Sequence, residues 1–590
     1  MTSYYMYKFV SNDNHYQDYE IVETQTFRTV SLFENNSIVK TSKLFSNDTF
    51  EYNNNIEIIH SHVRSCKHIP GVISLDISFG KYKDKLLYLC KPDDKRIPFF
   101  LVPYKLPYSF DKSVKKIYIT FKYEHWENEM PRGSMLQNFG NIETVNNYYE
   151  YILYCKSLNI SIQPFTKTVR KILESKSAEQ IIQGIQNTYN IEEIAKKDEF
   201  IFTLDSNISN DHDDAISYHF NEHKITVYIS NVSLVMEYLH LWDSFTDRIS
   251  TIYLPDKKRP MIPQVLTETL LSLDENTRRV CYALEIFFDE GNQIVNQKLK
   301  LCVAYINKNY SHDQNNDQTN DYKSNKYYRK ISEILKINNS RDIVTHLMVH
   351  FNKYLANYLY SKNIGVYRQY HALNSDKRFK CEEETKNIQE KNIPRPILFH
   401  ISNFKTHSSR YCLLRSSDQH KLEEGEQSNF KANVLYLQAS SPIRRIVDVL
   451  NNIALLKVLL GKNEHFQKAN AFYEFWTSLE QLEYINISSR TIRKIQSKCK
   501  IYSQYLYNKE NNIHQNYEGY VFDKLEKCDG KFQYMVYLHS LKLTTCITVL
   551  QDLDNYSCHL FQLFVFMNQE QDKNKIKLQL CYLSKNSDFM

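Results

Sequence analysis

Asp205, Asp211, Asp213 and Asp214 crowd into one short stretch just past an apolar run, Phe200-Ile201-Phe202 with Leu204. That run is rich in β-forming residues and predicts a buried strand ending on Asp205. Carboxylates this close repel one another unless a cation holds them. Hard divalent ions such as Mg²⁺ favour oxygen ligands of this kind. Two such ions on one phosphate stabilise both the attacking and the leaving oxygen of an in-line displacement. Two ordinary alternatives stand beside that chemistry. Asp and Asn often bond to nearby backbone in turns, and an acidic loop is often only solvated. An EF-hand is a poor fit, because the glycine its loop needs at position 6 is replaced by Asn210 or Ile216.

A second constellation lies far downstream, in Tyr436-Leu-Gln-Ala-Ser-Ser-Pro-Ile-Arg-Arg-Ile-Val-Asp448. Pro442 suits the first turn of a helix, which would aim free N–H groups and the guanidinium groups of Arg444 and Arg445 at one place. Helix N-termini and bidentate arginine both suit phosphate, although adjacent arginines also commonly just solvate a helix. Arg490, Arg493, Lys494, Lys498 and Lys500 give a third basic stretch, either phosphate-tracking or solvated. Near the N-terminus Lys91, Lys95, Arg96, Phe99, Phe100, Tyr104 and Lys105 interleave cations with rings. Single-stranded nucleic acid is bound by such mixtures; a barrel with a solvated basic face has the same pattern.

The elements that must position these groups are partly legible. Residues 70–122 contain short, turn-separated strand-like runs whose spacing suggests a small barrel. Residues 1–66 suit short antiparallel strands, and 142–197 turn helical. Strands are predicted at Ile225–Ser230, Arg279–Phe288 and Lys298–Ile306, and helices at Ile343–Ser361 and Ile446–Leu460. Pro255, Pro260 and Pro263 force an extended path between Thr251 and Pro263. Residues 311–326 and 376–394 read as surface excursions. From Tyr517 to Leu580 short strands return, with a turn at Asp529-Gly530, and suggest another small barrel.

Composition bounds the rest. At 590 residues the chain holds several domains. Its 42% apolar residues suffice for real cores, and its net charge of +6 permits a polyanionic partner without demanding one. The twelve cysteines form no C-x-x-C pair or zinc-spaced cluster and read as reduced thiols. No apolar run approaches the ~20 residues of a membrane helix, and Met1-Thr-Ser-Tyr-Tyr shows no secretory pattern. The expectation is an intracellular protein of nucleus or cytoplasm, with no membrane partner and no small-molecule cofactor.

Taken together, the separated motifs resemble the ribonuclease II (RNB) family of 3′→5′ exoribonucleases. Asp205, Asp211, Asp213 and Asp214, followed by Ala215, match its acidic signature position for position. Ile229-Ser-Asn-Val-Ser, Tyr253-Leu-Pro-Asp, Pro260-Met-Ile-Pro, Leu271-Ser-Leu and Ser441-Pro-Ile-Arg-Arg with Asp448 resemble its later segments in order and spacing. Asp94-Lys-Arg-Ile-Pro98, Trp126, Pro131-Arg-Gly133, Gly140 and Pro164-Phe165 resemble the second cold-shock domain of the eukaryotic branch that includes the exosome's catalytic subunit. The fold implied is α+β and multidomain, with small OB-type barrels (cold-shock and S1-like) flanking a central mixed α/β catalytic domain. The expected boundaries are a partial or divergent first cold-shock domain at 1–66, a second at 67–170, the RNB domain at 171–506 and an S1-like domain at 507–590. With so few residues before the second barrel, no PIN endonuclease domain is expected.

The resemblance implies that Asp205, Asp211, Asp213 and Asp214 hold Mg²⁺, with Mn²⁺ as the alternative, around a scissile phosphate of single-stranded RNA. Asp213 and Arg444 would be catalytic, Arg444 offsetting transition-state charge with Arg445 nearby, and 5′-mononucleotides would leave one at a time. Tyr253 and Tyr310 fall where the family stacks aromatics on the RNA 3′ end; core packing is the plain alternative. The exosome core is an expected partner. The chain departs from the family pattern at His212, Asn231, Ala439-Ser440 and Ile446-Val447, at Ser497 in place of a functional Glu, and near Ser428–Lys431, where a His-Phe-Gly-Leu segment is not recognisable. A reading from a different class is an RNB-fold RNA-binding or scaffold protein that has lost activity. A single-strand binder built on OB barrels would explain the flanks but not the acidic quartet.

Overall fold

The computed structural model describes residues 6–31, 41–53, 55–106, 113–194, 199–206, 211–312, 322–369, 393, 410–414, 435–461, 466–511, 515–568 and 573–581. The chain folds as two compact units, one of residues 1–159, 254–257 and 494–590, the other of 160–253 and 258–493.

In the first unit β1 (Met6–Ser11), β2 (Tyr19–Glu23), β3 (Thr49–Asn53) and β4 (Asn55–His60) form an antiparallel sheet in the order β2-β1-β3-β4. It buries Phe9, Ile21, Leu44 and Phe50. Next, β5 (Ile69–Tyr82), β6 (Lys85–Pro92), β7 (Phe100–Tyr104), β8 (Lys116–His125) and β9 (Arg132–Asn141) close into a barrel. The register of β5 against β6 shifts between Ser74 and Lys81, and Gly80 there adopts φ 92°. Such bulges bend a long strand so that few strands can close on themselves. Ile73, Phe100, Val102, Ile119 and Phe121 fill the interior. The helix Val145–Cys155 follows and lays Tyr151 on Tyr118, ring centroids 4.2 Å apart.

The second unit carries the acidic stretch. The helix Ala178–Tyr189 starts at a Ser177/Gln180 capping box and ends on Asn190 in the left-handed region. The sheet comprises β10 (Glu192–Ile194), β11 (Ile201–Asp205), β12 (Asp214–His219) and β13 (Lys224–Ser230). After a hairpin of two-residue strands, β14 (Ile252–Tyr253) and β15 (Lys258–Arg259), come β16 (Arg278–Phe288) and β17 (Ile294–Ser311). The order is β10-β17-β11-β12-β13-β16, and β17 pairs with β16 as well, in parallel with β10 and β11. Small side chains, Ala215, Ala283, Ala304, Cys281 and Cys302, share its core with Ile201, Tyr228 and Ile306. The helix Ile446–Leu459, apolar nearly all round and mostly buried, packs on the helix Val232–Tyr238. The helices Lys326–Leu335 and Ser340–Tyr360 and the antiparallel pair β18 (Val366–Gln369) and β19 (Arg410–Leu413) complete the unit.

The long helix Leu479–Glu510 leads to β20 (Tyr517–Glu526), β21 (Phe532–Leu538), β22 (Leu543–Val549), β23 (Cys558–Asn568) and β24 (Lys573–Leu580). This sheet runs β22-β21-β20-β23-β24 around Val521, Tyr534, Val536 and Phe561. The barrel expected here is curled rather than closed, since β22 and β24 approach each other without a hydrogen-bonded ladder.

Two surface excursions need correcting or limiting. Within 311–326, Tyr322–Ser324 form a 3₁₀ turn and a helix begins at Lys326, capped by Asn325, while 313–321 lie outside the described residues. Of 376–394, Ile393 alone is described, and it is buried. Among the described residues no helix is long and apolar enough to cross a membrane, and the described cysteines form no disulfides.

Candidate active site

Asp205 closes β11 and Asp214 opens the antiparallel β12, so the sheet itself fixes both ends of the acidic stretch. Residues 207–210 of the connection lie outside the described residues. The descending limb is tied down through its backbone. The Ser230 N–H donates to the Asp213 carbonyl at 2.9 Å, and the Leu273 N–H donates to the His212 carbonyl at 3.0 Å. On the other side the His312 N–H donates to the Asp205 carbonyl at 2.8 Å.

Asp213 is 1% exposed. Its Oδ1 accepts the Ile443 N–H at 2.9 Å, and its Oδ2 lies 2.9 Å from Arg444 Nε, from a segment 230 residues along the chain. Burial pushes its carboxyl up to about 6 even though Arg444 and the Ile443 amide oppose the rise. Asp214 is pushed further, to about 8, by burial and then by the charge of Asp205. Burial raises Asp205 as well, against the pull of His212 and Arg444. Both oxygens of Asp211 meet Lys258 Nζ, at 2.8 and 2.9 Å.

His212 is held on three sides. Its N–H donates to Ser272 Oγ at 3.0 Å, its Nδ1 is 2.9 Å from Asp274 Oδ1, and its Nε2 stands 3.8 Å from Asp205 Oδ2. Burial disfavours the imidazolium, but Asp274 and Asp205 outweigh it and the ring's pKa is raised. Buried Arg279 braces that wall by donating to the carbonyls of Ser272 at 2.6 Å and Glu268 at 3.0 Å.

The Ser-Pro-Ile-Arg-Arg segment does not begin a helix at Pro442. The helix starts at Ile446 with Arg445 extended at its N-cap, φ −141° and ψ 128°. Backbone pairing explains the difference. Thr251 N–H donates to the Arg444 carbonyl and Ile446 N–H to the Ile249 carbonyl, so 444–446 run as a short strand against 249–251. The N–H of Ile443 therefore meets the Asp213 carboxylate, and that of Ser441 meets Asp448 Oδ1 at 2.8 Å. The two guanidinium groups also part: Arg444 goes to Asp213, while Arg445 Nη2 lies 2.7 Å from Asp448 Oδ1. Asp448 is wholly buried and organises this turn.

Tyr253 stands on the hairpin at the rim, 45% exposed, and its hydroxyl accepts a hydrogen bond from Arg444. Tyr310 is one strand over from the acidic loop, opposite Leu204. Its ring meets Phe202 edge-on and its hydroxyl accepts from Asn325 at 3.0 Å. The structure thus gathers Asp205, Asp211, Asp213, Asp214, Arg444 and Tyr253, and turns Arg445 to Asp448. The basic helix face is partly internal. Lys500 donates to the Leu541 carbonyl at 2.8 Å and Lys498 lies over the Tyr148 ring. Asn231 caps the helix Val232–Tyr238 through Leu234 N–H, and Ala439 and Ser440 bond to Asn352. The segment near Ser428–Lys431 lies outside the described residues.

Sequence reasoning missed Lys258, Ser272 and Asp274. All three lie inside or beside motif segments, but no spacing rule announces which side chain will fold onto Asp211 or His212.

The donor set suits a hard divalent cation. Asp205 and Asp214 carry repulsion that a positive ion would relieve, and Asp213 Oδ2 is buried with the Arg444 guanidinium 2.9 Å away. The arrangement is splayed, since no three His, Cys, Asp or Glu side chains among the described residues stand as a ready cage.

Comparison with known proteins bears on the same residues. The RNB domain model matches residues 195–337, and the Dis3-like cold-shock domain 2 model matches 87–156. Ribonuclease R of Chlamydia pneumoniae is 24% identical over 192 residues, 32% of this chain and 27% of that protein. The matched region therefore spans about a quarter of that relative's length. Mycoplasma genitalium RNase R, solved in complex with ribose-methylated single-stranded RNA, superposes with a TM-score of 0.61 at 15% identity, covering 97% of this chain and 96% of that one. Yeast Ssd1, described as a pseudonuclease, superposes with a TM-score of 0.53 at 12% identity, covering 92% of this chain and 78% of that one. The chain thus carries an RNB domain behind a Dis3-like cold-shock domain, in a fold of the ribonuclease R kind.

Proposed function

We propose that this protein is a divalent-metal-dependent 3′→5′ exoribonuclease that hydrolyses single-stranded RNA processively to 5′-mononucleotides. One observation carries the reading: Asp213, inside the stretch that the RNB domain model matches, is met by Arg444 and the Ile443 amide from 230 residues away. Asp205, Asp213 and Asp214 would hold Mg²⁺, which supplies the positive charge that stabilises the attacking and leaving oxygens of an in-line displacement. Arg444, set by Asp213 and by the Tyr253 hydroxyl, faces the phosphate and offsets the charge that grows on its oxygens. The exposed Tyr253 ring offers a stacking face to a base near the 3′ end. The cold-shock barrel, where Lys91 lies over the partly exposed Phe99 ring while Phe100 is buried in the core, would offer a further contact to RNA. Attachment to an exosome core and work in nucleus or cytoplasm belong to the same proposal and rest on the Dis3-like cold-shock match alone.

The second reading, an RNA-binding protein without nuclease activity, is favoured by two observations. Lys258 and Arg444 already neutralise Asp211 and Asp213, and the pseudonuclease Ssd1 has a related fold. Substituting Asp213→Asn separates the two. Degradation of a labelled single-stranded RNA should fall at least ~10²-fold, the scale of losing one transition-state group, while binding on a native gel persists. Equal degradation by variant and wild type would remove Asp213 from the site.

A further inference from the structure

Lys258 contacts the acidic loop and has no part in the reaction as proposed above. It stands on β15 directly opposite Tyr253 on β14, and directly opposed residues of an antiparallel pair project on the same face. A two-residue ladder thus delivers a ring and an ammonium together to the rim of the site. Nζ lies 2.8 and 2.9 Å from the two oxygens of Asp211. The Asp211 side chain is 9% exposed and that of Lys258 24% exposed, so the carboxylate is the covered partner and the cation the accessible one. The neighbouring Arg259, only 6% exposed, is turned inward.

An ammonium carries three N–H donors, more than one carboxylate takes up. Holding it in place beforehand removes the rotamer entropy that a free lysine loses when it grips a ligand. The position also matters. The Tyr253 hydroxyl receives a hydrogen bond from Arg444 and feels the charges of Asp211 and Asp213, and Lys258 is bound to that same Asp211. Two-ion phosphoryl-transfer sites place two positive centres on one phosphate; here a tethered ammonium stands where such a charge is useful.

We infer that Lys258 is a phosphate-contacting residue of this site, and that Asp211 is the anchor that holds it there rather than a ligand of a divalent ion. The inference rests on the exoribonuclease reading for the identity of its ligand, an RNA phosphate. Lys258 and Asp211 then form a unit separate from Asp205, Asp213 and Asp214.

The test uses the full chain in EDTA and a ~20-nucleotide oligouridylate, with affinity measured across a salt series. Each phosphate contact on a single strand contributes about −0.7 to the slope of log K against log salt. Lys258→Met and the milder Lys258→Gln should each flatten the slope by about 0.7 and weaken binding several-fold, and Lys258→Arg should restore the slope. Melting curves establish that the variants fold, and if the Met variant does not, the Gln variant decides. In a second arm, electron paramagnetic resonance counts bound Mn²⁺, and Asp211→Asn should leave that number unchanged. Unchanged slopes in the folded variants would make Lys258 a structural partner only, and loss of a bound Mn²⁺ in Asp211→Asn would make Asp211 a metal ligand; either result overturns the proposal. Binding in EDTA requires no turnover. A protein that never cleaves RNA but loses the slope contradicts the nuclease reading and not this one.

Discussion

Asp213 and Asp214 are neighbours in sequence, yet the fold gives them different company. Asp213 receives an amide and a guanidinium from the Ser-Pro-Ile-Arg-Arg turn, while Asp214 faces the charge of Asp205. The second arrangement has a consequence for stability. With its pKa raised from 3.8 to about 8, folded Asp214 binds a proton more tightly than the unfolded chain does. Metal-free protein therefore loses stability as pH rises across that window. In EDTA, Asp214→Asn should match wild type in melting temperature near pH 4 and exceed it increasingly toward pH 8. A gap that stays constant with pH would show that Asp214 is not held protonated. The acidic quartet was legible in the sequence because four carboxylates past a buried strand are unusual. Its partners were not, since Lys258 reaches Asp211 from 47 residues away and Asp274 reaches His212 from 62. Contacts at that separation are set by how strands pair, and no local pattern records them.

At the scale of elements, helices with a clear period were readable and their ends were less so. Ser340–Tyr360 and Ile446–Leu459 fall where apolar spacing predicted helices. Pro442, which suits a helix's first turn, instead sits in a turn ahead of the helix because backbone groups of residues 444 and 446 bond to 249–251. Tertiary pairing overrode a local signal there. The N-terminal barrel shows the same dependence on packing. A Cβ on Gly133 would come within 2.6 Å of Phe121 Cδ2 and 3.0 Å of the Lys122 carbonyl oxygen. Phe121 is fully buried in the barrel core and has little room to yield. Gly133→Ala should cost about 1–3 kcal/mol, read as a lower denaturation midpoint. An unchanged midpoint would mean that the barrel interior is looser than its contacts indicate.

Across the whole molecule, the architecture was legible as a class, small β-rich modules before and after a mixed α/β sheet in the sequence, because strand-rich segments flank the acidic stretch on both sides. Whether each small sheet closes was not legible. Closure depends on bulges such as those in β5 and on ladder register, and alternation of apolar and polar residues is the same in a closed barrel and a curled sheet. The net charge of +6 is modest for the RNA-degrading role proposed. Affinity is therefore expected from local groups at the site and barrel more than from a long-range field. The central claim, that these parts together remove nucleotides from an RNA 3′ end, is most directly tested with a 5′-labelled single-stranded RNA of about 30 nucleotides. The RNA is incubated with Mg²⁺ and, in parallel, with EDTA, and resolved on a denaturing gel. The site as described predicts a Mg²⁺-dependent collapse to a very short labelled product with few intermediates, and intact RNA in EDTA. RNA that stays intact with Mg²⁺ yet shifts on a native gel would contradict the claim and leave an RNA-binding protein on a nuclease fold.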